Sequence, residues 1–162
     1  MDDPMIELSR RVGRALEARS LSCVTAESCT GGMLASAITD VAGSSGWFER
    51  GFVTYSNESK VELLSVPAAT LLEHGAVSEP TARAMALGAL AHSRGDLALA
   101  VTGIAGPGGA VPGKPVGTVC FGWADRLDRI AARTVHFDGS RLEVRIQATR
   151  FALESILEWL GA

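Results

Sequence analysis

Lysine is nearly absent from this chain. Of its 15 basic residues, 13 are arginine, and lysine stands only at Lys60 and Lys114. Arginine stays protonated in proteins and cannot serve as a base, whereas a buried lysine can. Chance survival under an arginine bias is the plainer explanation. Tyrosine is scarcer still: Tyr55 is the only one, five residues before Lys60. Cys23, Cys29 and Cys120 are odd in number and lack CxxC spacing, which excludes a disulfide framework and a cysteine zinc site. His74, His92 and His136 are scattered singly, so no metal and no cofactor is expected. With a net charge of −3 and a pI near 5.6, the chain lacks a basic footprint for nucleic acid. No apolar run reaches the length of a membrane span, and Met1-Asp2-Asp3 does not open a secretory signal. The expectation is a soluble cytoplasmic protein without nucleic-acid or membrane partners.

What the chain does have suits one globular domain over residues 1–162: 47% of its residues are hydrophobic and 20% charged. Met5, Leu8, Val12, Ala15 and Leu16 share a helical face, predicting a helix over 4–19 with Pro4 in its first turn. A strand is predicted over 21–25, then a helix running to about Thr39. Ala42 to Gly46 read as loop, and Trp47 to Tyr55 as a strand. Asn57 precedes a short helix carrying Lys60. Pro67 opens another, which Gly75 ends. Ser78-Glu79-Pro80 starts a helix over 79–94 whose alanine-rich faces predict close packing on a sheet or a second subunit. Strands follow over 96–102, 116–123 and 130–137, the last two joined by a hairpin at Asp125 to Asp128. A helix over 140–159 closes the chain. Helices alternating with strands, plus one hairpin, predict a three-layer α/β/α sandwich with a mixed, mostly parallel sheet of about five strands.

The stretch Thr25-Ala26-Glu27-Ser28-Cys29-Thr30-Gly31-Gly32 reads as a strand-to-helix corner. Ser28 at the mouth of the helix has unpaired N–H donors beyond it, suited to a phosphate or an oxyanion. Gly31 and Gly32 let a ligand approach the backbone. A hydroxyl there acts as nucleophile if a base is nearby; alternatively, Ser28 or Thr30 only caps the helix.

A second loop, Gly103 to Gly117, holds six of the 18 glycines and three of the six prolines. Within it Gly108 to Lys114 matches G-x-x-x-x-G-K, the phosphate-binding pattern. Pro115 stands where a magnesium-binding hydroxyl belongs, and a strand follows rather than a helix, so a nucleoside triphosphatase is rejected. A connection this long is usually functional in a compact domain, and its backbone can form an anion nest. Ser28, Tyr55, Lys60 and Thr102 all fall at or just past the C-terminal ends of predicted strands, where ligands of open α/β sheets collect. A Ser–Lys pair with a tyrosine relay needs neither histidine nor metal for acyl transfer.

Taken in order, Thr25 to Gly32, Tyr55 to Lys60, Gly75 to Ser78, Thr102 to Gly109 and Gly113 to Gly117 resemble the C-terminal domain family of the competence/damage-inducible protein CinA. The resemblance spans nearly the whole chain. Stand-alone members are nicotinamide-nucleotide amidases, so it implies hydrolysis of the carboxamide of nicotinamide mononucleotide to nicotinic acid mononucleotide and ammonia. It further implies the α/β/α sandwich, no metal for this reaction, and homo-oligomers. The N-terminal pyrophosphatase domain of two-domain members is expected to be absent. By the resemblance Ser28 is the nucleophile, Lys60 the base and Tyr55 the hydroxyl beside it. Thr102 lies near the amide, and Thr30, Gly31, Gly32, Gly103 and Gly106 are candidate substrate-binding residues. The family's Gly-Asp-Arg is here Gly139-Ser140-Arg141, with Arg145 one turn on, and Ala110 replaces a common glycine. Arg141 is the candidate for the substrate anion. Two other classes remain open: a non-catalytic nucleotide-binding or regulatory module, and a thiol hydrolase using Cys29.

Overall fold

The structure, a computed structural model, describes residues 3–162. Helix α1 (Pro4–Ala18) is capped by the Asp3 carboxylate, which accepts from the Met5 amide at 2.8 Å. Strand β1 (Cys23–Glu27) leads through a turn into α2 (Met33–Thr39). After β2 (Phe48–Val53) come three helices: α3 (Asn57–Leu64), α4 (Ala68–His74) and α5 (Glu79–Ala91). Strands β3 (Leu97–Gly103), β4 (Thr118–Asp125) and β5 (Ile130–His136) precede α6 (Arg141–Leu160).

The strands form one sheet in the order β2-β1-β3-β4-β5. β1 pairs in parallel with β2 and β3, and β4 pairs antiparallel with both β3 and β5. Four strands therefore share one direction and β4 opposes them. Period-two alternation divides the sheet's side chains between two cores. Leu97, Leu99, Val101, Val119, Phe121 and Trp123 pack under α1, α2 and α6. Val24, Ala26, Ala98, Ala100 and Ala124 pack with Leu64 of α3, Leu71 of α4 and Met85, Ala86 and Ala89 of α5. The result is the expected α/β/α sandwich.

The alanine face of α5 lies on the sheet and on α3. A Cβ on Gly122 would strike the Ala82 carbonyl, and one on Gly88 would strike the Leu64 carbonyl. Several boundaries differ from expectation. β1 runs two residues further than predicted, and α2 begins only at Met33, because Gly31 (φ 58°) and Gly32 (φ 102°) carry the intervening turn. β2 ends at Val53, and β4 begins at Thr118. Among the described residues no helix is long and apolar enough to cross a membrane.

Candidate active site

The C-terminal ends of β2, β1 and β3, which are neighbours in the sheet and pair in parallel, lie side by side. Ser28 follows β1, Tyr55 follows β2, and Thr102 lies near the end of β3. Together with Lys60 on α3 and Arg141 at the start of α6 they line a pocket of about 220 Å³. Cys29, Gly103, Ala105 and the α4–α5 connection at Ala76 and Val77 complete the wall. The Thr102 hydroxyl donates to the Ala76 carbonyl at 2.9 Å, tying that connection to the strand.

Lys60 is one of the largest side chains wholly removed from solvent among the described residues. Its Nζ lies 3.0 Å from Ser28 Oγ, 2.7 Å from the Thr54 carbonyl and 3.2 Å from the Tyr55 carbonyl. No carboxylate within salt-bridge distance among the described residues balances it. Burial pushes its pKa down from 10.5 to about 8. A neutral amine has two N–H donors and one lone pair. The charged form donates to Ser28 Oγ and to both carbonyls, and the Ser28 hydroxyl donates to the Tyr55 carbonyl at 3.5 Å; the neutral form keeps its two donors on the carbonyls and turns its lone pair to the Ser28 hydroxyl proton.

The corner is built differently from the expectation. Neither Ser28 nor Thr30 caps α2; Gly32 occupies the cap position and has no side chain to offer. Glu27 does the capping from a distance. Its fully buried carboxylate accepts from the Leu34 amide at 2.9 Å and the Ala35 amide at 3.0 Å. The first amides of α2 are thus occupied, and the expected oxyanion site at that helix end is ruled out. Glu27 was not among the predicted site residues. The signal for it was an acid beside a candidate nucleophile, ahead of a helix whose start offers only glycine. Cys29 packs its sulfur toward the backbone of Gly103. Burial pushes the thiol up to about 12, away from the thiolate that a thiol hydrolase uses.

Tyr55 also departs from expectation. Its carbonyl touches Lys60, but its hydroxyl accepts from Arg141 Nη2 at 3.1 Å rather than standing against the base. Arg141 Nη1 donates to the Gly106 carbonyl at 2.9 Å, fixing the glycine-rich loop. Arg141 is the first residue of α6, directly after Ser140, which forms a capping box with Glu143. Ser140 therefore does locally what capping requires, and Arg141 reaches the pocket. Arg145 turns to the Cys29 and Thr30 carbonyls at 3.0 and 3.1 Å and braces the corner. Thr30, Gly31, Gly32 and Gly106 are not in the pocket wall. Thr30 is buried, the two glycines make the turn, and Gly106 serves through its carbonyl. Lys114 donates to the His74 carbonyl at 2.8 Å, so the phosphate-loop-like stretch is a loop tied to α4.

A larger cavity of about 410 Å³ lies between β5 and α6, lined by Trp123, Phe151 and Trp159 among others. Its one serine, Ser155, accepts from Trp123 Nε1 and donates to the Ala152 carbonyl. Among the described residues no group of three or more His, Cys, Asp or Glu is placed to hold a metal ion.

A serine hydroxyl bonded to a buried, unpaired lysine at the C-terminal edge of an α/β/α sheet defines the class. The comparisons make it specific. The CinA C-terminal domain model matches residues 5–160, and the chain belongs to that family. It is 52% identical to the nicotinamide-nucleotide amidohydrolase PncC of Escherichia coli (strain K12), over 96% of this chain and 94% of the relative. Its identity to the protein of the same name in Pseudomonas putida is 47%, over 96% and 97%. A crystal structure of a CinA superfamily protein from Klebsiella pneumoniae superposes with a TM-score of 0.94 at 42% identity, covering 98% of this chain and 99% of that one.

Proposed function

We propose that this protein is a nicotinamide-nucleotide amidase, hydrolysing the carboxamide of nicotinamide mononucleotide to the carboxylate and ammonia through Ser28 and Lys60. One observation carries the mechanism: Lys60 Nζ, buried and without an acid partner, lies 3.0 Å from Ser28 Oγ. The substrate class rests on the likeness to the PncC amidohydrolases over nearly the full length.

Neutral Lys60 takes the Ser28 proton as Oγ attacks the carboxamide carbon. The amide of Cys29, a residue of the pocket wall, bonds to no other described residue and is the candidate donor for the oxyanion. The lysine ammonium then protonates the departing nitrogen, which leaves as ammonia, and an ester on Ser28 remains. Water attacks the ester with Lys60 again accepting the proton, and the acid is released. Arg141 lines the pocket and keeps N–H groups beyond those bonded to Gly106 and Tyr55, and these are the candidate donors to the substrate's phosphate.

The test is ammonia release from the mononucleotide by the wild type, Ser28→Ala and Cys29→Ala. Ser28→Ala is expected to be folded and inactive, and Cys29→Ala active. Near-normal turnover by a folded Ser28→Ala protein refutes the nucleophile assignment. A wild type that binds the mononucleotide without releasing ammonia supports the binding-module reading instead.

A further inference from the structure

The substrate of the proposed reaction carries a permanent positive charge in its ring, yet the pocket offers that charge no anion. The residues lining it include two basic side chains, Lys60 and Arg141, and no carboxylate. The nearest acid in sequence to the nucleophile, Glu27, is buried, with both oxygens on the amides of α2. Among the described residues in the wall, Tyr55 is the single aromatic.

Tyr55 is held at both ends and bare between them. Its carbonyl accepts from Lys60 Nζ, which anchors its backbone beside the base. Its hydroxyl accepts from Arg141 Nη2, and Arg141 is itself fixed to Gly106. Between these anchors the residue stays 62% exposed. A ring fixed in place but uncovered at the mouth of a pocket is preorganised to receive a flat partner. The electron-rich face of a phenol ring attracts a cation without needing a counter-charge.

Resting on the amidase reading, we propose that the Tyr55 ring, rather than its hydroxyl, is the specificity element of the site: a stacking platform for the positively charged pyridinium. It favours a ring quaternised at nitrogen over the neutral ring of free nicotinamide. The hydroxyl serves to orient the ring through Arg141, and proton transfer runs directly between Ser28 and Lys60.

The test compares two small ligands of nearly the same shape, 1-methylnicotinamide (methylated on the ring nitrogen, cationic) and nicotinamide (neutral), as competitors of ammonia release. Calorimetric binding is measured alongside in wild type, Tyr55→Phe, Tyr55→Trp and Tyr55→Leu. The readout is the ratio of the neutral to the cationic dissociation constant within each protein, so the repulsion from Lys60 and Arg141 cancels between variants. The ratio is expected to be kept in Tyr55→Phe and Tyr55→Trp and to fall about threefold to thirtyfold in Tyr55→Leu. A ratio unchanged in Tyr55→Leu overturns the platform. A Tyr55→Phe ratio as low as that of Tyr55→Leu also overturns it, placing the role on the hydroxyl. Absence of ammonia release by the wild type, with the binding ratios as expected, would fail the amidase reading and leave the platform standing.

Discussion

Burial lowers the Lys60 pKa to about 8, and perturbing the residue by pH and by substitution tests the reaction directly. With a pKa of about 8 instead of 10.5, about a tenth of Lys60 is neutral at pH 7, against about 0.03% at the ordinary value. Burial therefore raises the supply of base about 300-fold at that pH. The free enzyme's kcat/KM should climb nearly tenfold per pH unit below about 8 and level off above it. Lys60→Arg keeps the charge but cannot lose it, so it should be almost as inactive as Lys60→Ala. Stability gives an independent arm. The folded pKa lies below the unfolded one, so between about 8 and 10.5 the unfolded chain holds the extra proton. Stability must then rise with pH across that window and sit at its penalised level below it. Denaturant titration should show wild type gaining about 2 kcal/mol between about pH 7.5 and about pH 10 relative to Lys60→Met. A flat kcat/KM profile between about pH 6 and about pH 9, or a Lys60→Arg enzyme with near-normal kcat, refutes the reasoning.

Two further expectations follow from the corner and its surroundings. Glu27→Gln places an amide NH₂ against the α2 amides, so unfolding measurements should show a loss of about 1–3 kcal/mol, and kinetics a lower kcat with KM little moved. Wild-type stability and kcat in that variant would remove Glu27 from the corner's architecture. Because no ligand cluster for a metal is placed among the described residues, amidase activity should survive exhaustive chelation. Activity lost to a chelator and restored by zinc or magnesium would contradict this.

The elements of this fold were legible because each carries a local signal. Val12 and Leu16 repeat at helical spacing, Ser78 and Pro80 mark a start, and β3 is a continuous apolar run. The edge placement of Ser28, Tyr55, Lys60 and Thr102 was legible from strand ends. Their contacts were not, because side-chain direction at a turn is set by tertiary partners. Ser28 and Lys60 are 32 residues apart, and Tyr55 and Arg141 are 86 apart. The helix start was misplaced for a related reason. Gly31 and Gly32 carry no Cβ signal, and the cap comes from Glu27, outside the local window.

The three cysteines bear on how the site meets an oxidising cell. Cys23 and Cys29 are buried, with thiols pushed up to about 12, and Cys120 is shifted in the same direction. Peroxides and alkylating electrophiles attack the thiolate, which such thiols barely populate. Beside Cys29 stand a hydroxyl and an amine, neither of which has an accessible redox state. On the proposed assignment of Ser28 as nucleophile the reacting atom is an oxygen, so oxidants that silence cysteine enzymes have no target at it, even though a sulfur sits next to it in sequence.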